Sequence, residues 1–454
     1  MVRHRPDRRR PRRRAGWSED HVRRLLWRAG FGATAAEARR WARRGRAATI
    51  DWVLDGPPGG ARLRGRAPHV EGRRLDPVNE WGDDVLWWLD RMVRSTHPLA
   101  EKMTLFWHDH FATADQETPL LLAQNRLLRR HALGSFRALL GAITRDPAMQ
   151  LFLSLADSPK EAPNENYARE LMELFTLGGG YTERDVREAA RALTGYRSEW
   201  DDRGLVAIRW DPEQHDGGVK RILGRRGRFG VEELLDLVCA HPRHAPFMAE
   251  KLWSWFVATP PSRATVRSLA GVYRRSGLRI GPVVRAILEH PALYRNLDAP
   301  DMVKSPVVYV AGALRASGSS ITHGYPVWLL ETMGQRLFRP PSVAGWDGGP
   351  AWMSTNAVVQ RFAFGNFLVS YGRPQVREGS VKATLPPREA LELAREAVGS
   401  PPISPRTRRA LTRLAARWFD DIPKDWRDQA DWRAESLQRT LRHLLIAGPE
   451  AQLC

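Results

Sequence analysis

Apolar residues recur at three- and four-residue spacing along most of the chain, the period of an α-helix packed on one face. Ser18 opens S-E-D-H-V-R-R-L-L-W-R-A as an N-cap with acids in the first turn, and Gly30 and Gly32 close it. Leu99 to Ala112 and Leu120 to Leu133 follow the same period, the second with Thr118 as N-cap and Pro119 at the first helical position. Asn164 to Leu177 is a helix ended by Gly178, Gly179 and Gly180. Thr182 starts T-E-R-D-V-R-E-A-A-R-A-L-T-G, a capping-box variant with Asp185 at the third helical position and Gly195 as terminator. Further helices are predicted over Val231 to Ala240, Ala245 to Val257, Thr265 to Ser276, Pro282 to Glu289 and Met302 to Ala316. Alternating patterns are almost absent. Gly204 to Trp210 and Lys220 to Gly224 are the exceptions, and their expected arrangement is one small hairpin with each other.

An apolar helix end followed by Pro and a new apolar turn recurs at Pro147, Pro242, Pro291 and Pro449. The residue before Pro leaves the helical region and Pro starts a helix, so each is a sharp corner between buried helices. The stretch Arg336 to Asn356 is too rich in Pro and Gly for regular structure, yet it carries Trp346 and Trp352. It is predicted to be an ordered loop on the core. The expected fold class is all-α: a large irregular helical domain over 16–371 with at most a small β-hairpin, a linker over 372–387, and a C-terminal helical segment over 388–454 that packs on it.

Composition adds less. Hydrophobic residues make up 43%, enough for a sizeable core, and the formal charge is +20. Of the 71 basic residues 64 are Arg, dispersed except in M-V-R-H-R-P-D-R-R-R-P-R-R-R-A, which reads as a disordered basic tail over 1–15. No apolar stretch follows its arginines, so the expectation is a cytoplasmic chain without a secretory signal, export with a partner remaining open. No window approaches the ~18 apolar residues of a membrane span. Two cysteines, Cys239 and Cys454, exclude a disulfide framework and a cysteine-based zinc site.

Three polar segments are candidates for chemistry. The first is W-H-D-H-F, with His108 and His110 in a strongly apolar neighbourhood. Residues two apart on a helix diverge by about 200°, so both imidazoles reach one ion only if His110 lies at or past a helix end. The expectation is therefore His110 at the helix end and His108 turned inward. The second is P-N-E-N-Y-A-R-E-L-M-E-L-F, where Asn166, Arg169, Glu170 and Glu173 share one face opposite a broad apolar arc. That face is either a ligand-holding surface or a solvated one with an Arg169–Glu173 pair. The third is W-D-P-E-Q-H-D-G-G-V-K, in which His215, Asp216 and Lys220 crowd a turn. Asp216 before two glycines is also good turn chemistry by itself. No Walker A, nucleophile elbow, Rossmann glycine fingerprint or HExxH occurs.

Long ordered motifs carry a resemblance. L-L-W-R-A-G-F-G-A, E-K-M-T-L-F-W-H-D-H-F, N-E-N-Y-A-R-E-L-M-E-L-F-T-L-G, H-D-G-G-V-K-R-I-L-G and G-Q-R-L-F-R-P-P-S-V-A-G-W-D-G-G-P-A-W resemble the bacterial family catalogued as domain of unknown function 1800. The resemblance runs from about Leu25 nearly to the last residue. It implies an all-helical unit and pairing with a secreted, sulfatase-like protein of unknown function. It brings no activity and no catalytic residues. Members often carry an export signal, which this sequence does not show.

Two function classes follow, with a third ranked last. In an enzyme, His108, His110, Glu170, His215 and Asp216 form the catalytic set, Asn166, Arg169 and Lys220 hold substrate, and His108, His110, Glu170 and Glu173 hold a divalent metal. In a scaffold or assembly partner, the same groups form buried networks that fix one packing. Nucleic-acid binding rests only on the basic tail. The sharpest expectation is that His108 or His110 comes within reach of a polar side chain between Asn164 and Glu173.

Overall fold

The computed structural model describes residues 16–202, 204–372, 385–418 and 430–454. The basic tail and most of the 372–387 linker lie outside these residues. Helices dominate, and the strands among the described residues form three two-stranded antiparallel sheets.

Most helices lie where the apolar period places them. Glu19–Arg28 follows Ser18, whose hydroxyl and backbone N–H both meet His21 Nδ1, an imidazole in the place of the usual capping glutamate. Glu183–Ala192 begins at Thr182 with the reciprocal Asp185 bonds that the sequence announces. Val231–Ala240, His244–Phe256, Arg263–Arg275, Ile280–Leu288 and Pro306–Ser317 match within a few residues. Three of the four Pro corners start a helical turn, Pro147–Phe152, Pro291–Tyr294 and Pro449–Gln452, whereas Pro242 lies in a turn before His244.

Two elements differ. The Asn164 segment is α-helical only over Asn166–Glu170 and continues as a π-helix over Leu171–Leu177. The expected hairpin is two separate ones. Tyr196–Asp201 pairs with Gly204–Trp210, and Lys220–Ile222 pairs with Arg225–Gly227. Local closure wins because each partner is a few residues away. Y-R-S-E-W-D conceals its strand character, being mostly polar and mostly exposed. His69–Val70 and Arg73–Arg74 form the third pair.

Buried side chains fall into two cores. The first draws on the early helices and on Leu128 to Leu293, including Tyr167, Phe175, Leu193 and Met248. The second joins Val85 to Val93, Val307 to Phe338, Phe364, Leu368, Leu391 and Leu441. In it Pro387–Ala397 and Thr355–Tyr371 both pack on Ala430–Ala447. The Pro98–His110 helix runs between the cores: Met103, Phe106 and Trp107 enter the first and Leu105 the second. No helix among the described residues is long and apolar enough to cross a membrane.

Candidate functional site

The helix between the cores ends at His110, and W-H-D-H-F is its last turn. Three successive side chains there hold main-chain groups of two other segments. Phe338 N–H donates to His108 Nε2 (3.2 Å). Trp346 N–H donates to an Asp109 carboxylate oxygen (2.9 Å). His110 Nε2 meets the Phe175 carbonyl (3.1 Å), and since a carbonyl only accepts, Nε2 carries the proton. Trp88, Phe338 and Trp346 surround the His108 ring. Burial drives both imidazoles down to about 3, so they are neutral near pH 7. Asp109 is pushed up to about 6 by burial, and the Trp346 N–H and Lys251 offset only part of that.

The anchored backbones explain the Pro- and Gly-rich loop. Phe338 holds a left-handed φ of 63° while buried, a conformation that surrounding contacts must enforce. Gly345 lies so close to Asp109 that an added Cβ would collide with Oδ1 and the backbone oxygen, and its φ is +85°. Trp346 is 8% exposed. The ordered loop expected from its tryptophans is thus tied down by His108 and Asp109.

The far side of the staple is the π-helix. Wider turns leave end carbonyls without helical partners. His110 takes Phe175 O, and the buried His244 Nδ1 takes Thr176 O (3.0 Å) while its Nε2 accepts from Tyr273 (3.0 Å). His110 therefore reaches the second segment through a main-chain carbonyl, two residues beyond Glu173. Its Nδ1 is buried without a partner among the described residues.

The polar face of that segment is occupied otherwise. Arg169 pairs with Glu165 (3.2 Å) and Glu183 (2.8 Å), where Glu173 was the expected partner. Glu173 accepts from the Tyr181 hydroxyl (3.1 Å). Glu170 is half-buried, and burial followed by the neighbouring Glu173 raises its pKa. Asn166 is exposed at the helix start, its N–H capped by Asn164 (2.9 Å). Among the described residues no three His, Cys, Asp or Glu side chains converge as a metal centre, so His108, His110, Glu170 and Glu173 are not one. The helix stays regular through His108, and each imidazole already serves a backbone group on a different side.

The third segment is built differently. Asp216 pairs with Arg191 (2.6 Å) and caps Gly218 N–H (2.8 Å), which is turn chemistry. Lys220 is buried and donates to the Asp216 and Gly218 carbonyls of its own turn, so its ammonium is not offered to a ligand. His215 stands apart. Its Nδ1 lies 3.0 Å from the Thr194 carbonyl and is therefore the protonated nitrogen. Its Nε2 lone pair has no partner among the described residues and faces Gly230, 3.9 Å from where a Cβ would stand. Glu233 Oε2 lies 3.4 Å from the same point.

An open pocket of about 490 Å³ lies there. His215 lines it with Arg145, Gln150, Tyr196, Trp210, Glu232 and Glu233, and with none of the other expected site residues. The three segments do not meet in one cleft. Gln150 commits Nε2 to Thr144 O (3.0 Å), and its Oε1 has no partner among the described residues. The Tyr196 hydroxyl likewise has none, and burial raises its pKa. Arg145 is paired with Glu232. Sequence reasoning missed these residues because the strand holding Tyr196 was unrecognised. Glu233 had a visible signal, G-V-E-E ahead of an apolar run, which gives it a capping bond to Gly230 N–H (3.0 Å). Asp109 was missed although it stands between the two histidines weighed.

The motifs that build this staple and this turn are those of one family. The chain belongs to the family described as Protein of unknown function (DUF1800), whose model matches residues 24–453. No curated protein and no solved structure matches the chain significantly. The DUF1800 match covers both the W-H-D-H-F staple and the His215 pocket.

Proposed function

We propose that this protein is an enzyme acting on a small polar ligand, with His215 as general base in the pocket between the Tyr196–Trp210 hairpin and the Val231–Ala240 helix. The observation that carries this is the fixed tautomer: Thr194 O holds Nδ1–H, so the Nε2 lone pair is directed at a space large enough for a ligand. The role fits abstraction of a proton from a hydroxyl or a water. The Tyr196 hydroxyl is the group placed to donate to the oxygen that gains charge. Asp216 then positions the turn without touching the ligand.

Diethyl pyrocarbonate labelling with peptide-level mass spectrometry tests this. His215 should be carbethoxylated rapidly, while the buried His108, His110 and His244 should resist. Gly230→Ala, which sets a methyl between His215 and Glu233 at a backbone angle alanine tolerates (φ −102°), should slow His215 alone. A His215 as unreactive as the buried three would remove the reading.

A second reading is a helical scaffold that assembles with a partner such as the sulfatase-like protein implied by the resemblance. W-H-D-H-F favours it, because its groups hold the chain's own backbone. Val358, Val359 and Phe362 also leave an apolar face of the Thr355–Tyr371 helix exposed. A stable complex between the purified pair, lost on Phe362→Glu, would support it; no association at micromolar concentration would count against it.

A further inference from the structure

The Tyr196–Trp210 hairpin carries a row of rings on the pocket side. Tyr196 is directly opposite Trp210 and Ser198 opposite Ile208; the register then shifts between Glu199 and Trp200, which stands opposite Leu205, and the Trp200–Ser198 hydrogen bond keeps its ring on the Ser198 side. Side chains two apart on a strand share a face. Trp210 is 50% exposed and Trp200 55%, both high for indoles on a small protein surface. The Trp200 ring is held, since its Nε1–H donates to Ser198 Oγ (2.9 Å), and Ser198 is itself tied to Asp157. Four residues separate the Tyr196 row from Trp200, about 13 Å of strand. Trp210 at the pocket and the held Trp200 farther out therefore offer two exposed indoles on one hairpin.

The polar groups at the inner end point to a class of ligand. His215 Nε2, Gln150 Oε1 and the Glu233 carboxylate are acceptors, and the Tyr196 hydroxyl can donate. The pocket carries two carboxylates against one guanidinium, which Glu232 already pairs, in a chain of formal charge +20. An anionic ligand would find its counter-charge almost anywhere else on this protein. The set suits a ligand rich in neutral hydroxyl donors, with apolar ring faces that lie flat on indoles.

We infer that the His215 pocket and the adjoining Trp210–Trp200 face bind a neutral oligosaccharide, with one sugar in the pocket, its hydroxyl on His215 Nε2, and the following rings stacked on Trp210 and Trp200. The inference rests on His215 being the reacting group of the pocket but adds the ligand class.

Calorimetry and saturation-transfer NMR on the full chain test it, with cello-, chito-, xylo- and laminari-oligosaccharides from mono- to hexasaccharide as probes. At least one series should bind, more tightly as the chain lengthens. Trp210→Ala should abolish binding. Trp200→Ala should weaken the long oligosaccharides about tenfold while leaving the disaccharide unchanged. Trp200 lies far enough out that its loss should leave the melting temperature in place, which separates lost stacking from lost folding. Three results would overturn the inference: no binding in any series at millimolar ligand, equal loss for short and long chains in Trp200→Ala, or binding confined to a polyuronate or to extended peptides. Each of these leaves His215 reactivity toward diethyl pyrocarbonate unchanged, so a failure here is distinguishable from a failure of the general-base reading.

Discussion

The W-H-D-H-F turn and the H-D-G-G turn are both histidine–aspartate pairs, and they do opposite things. In the first, both imidazoles are buried, and each has a ring nitrogen bonded to a main-chain group of a distant segment. In the second, one ring nitrogen of His215 is held by Thr194 O and the other faces open space. The aspartates differ as well. Asp109 holds a remote loop while burial pushes it up to about 6, whereas the partial burial of Asp216 is outweighed by Arg191 and the Gly218 N–H, which lower it. The lesson concerns accounting for ring nitrogens. A histidine is chemically idle when burial keeps both nitrogens from a ligand, even where one lacks a partner as in His110, and competent when one nitrogen is oriented and the other opens onto space a ligand can enter.

The comparison breaks most visibly through stability. His108→Ala or His110→Ala should each lower stability by about 3 kcal/mol, because a buried ring is lost and a backbone partner is left unsatisfied. Gly345→Ala should act similarly by pushing the loop off Asp109. His215→Ala should change stability by less than about 1 kcal/mol. Chemical denaturation measures all four. Equal losses at His108 and His215 would erase the distinction.

Acid sharpens it. His108, His110 and His244 have folded pKa values of about 3, 3 and 4, below the unfolded value near 6.5. The unfolded chain takes up these protons first, so their contribution is complete above pH 6.5 and declines as pH falls. At pH 5 each should have given up about 2 kcal/mol. Asp109 and Asp146, both raised to about 6 by burial, oppose this by about 1 kcal/mol each over the same interval. The net loss from pH 7 to 5 should be about 3 to 4 kcal/mol, visible as a melting temperature that drops before ordinary carboxylates titrate. A flat profile down to pH 5 would contradict the buried neutral state.

Much of the fold was legible because it rests on local signals. Thr182 with Asp185, Ser18, and the prolines at helix starts are capping chemistry readable without contacts. The π-helix was not, because the partners of its end are remote: the Phe175 and Thr176 carbonyls accept from His110 and His244, 65 and 68 positions away. The candidate site was half legible. His215 was named, and His110 does close its helix with His108 turned inward. Grouping His215 with the other segments failed because partners across a fold carry no spacing signal. Tyr196 and Gln150 were hidden for the same reason.

A smaller effect separates Asp109 from a catalytic acid. Asp109→Asn keeps an acceptor for Trp346 N–H and removes a charge that burial disfavours, so it should be neutral or slightly stabilising at pH 7, whereas Asp109→Ala should cost about 1 to 2 kcal/mol. Smallest of all, Glu170→Gln should raise stability by a few tenths of a kcal/mol, since burial and Glu173 both disfavour its charge and the group is partly solvated.

Long-range proton–nitrogen NMR of the imidazoles at pH 7.5 tests the central claim most directly. The account predicts the proton on Nε2 in His110 and on Nδ1 in His215, with the His108 Nε2 and His215 Nε2 both of acceptor type. On lowering the pH to 5.5, the His108 and His110 nitrogens should stay at neutral-imidazole shifts. A proton on His215 Nε2, or a His108 or His110 that becomes cationic in the folded protein above pH 5.5, would contradict it.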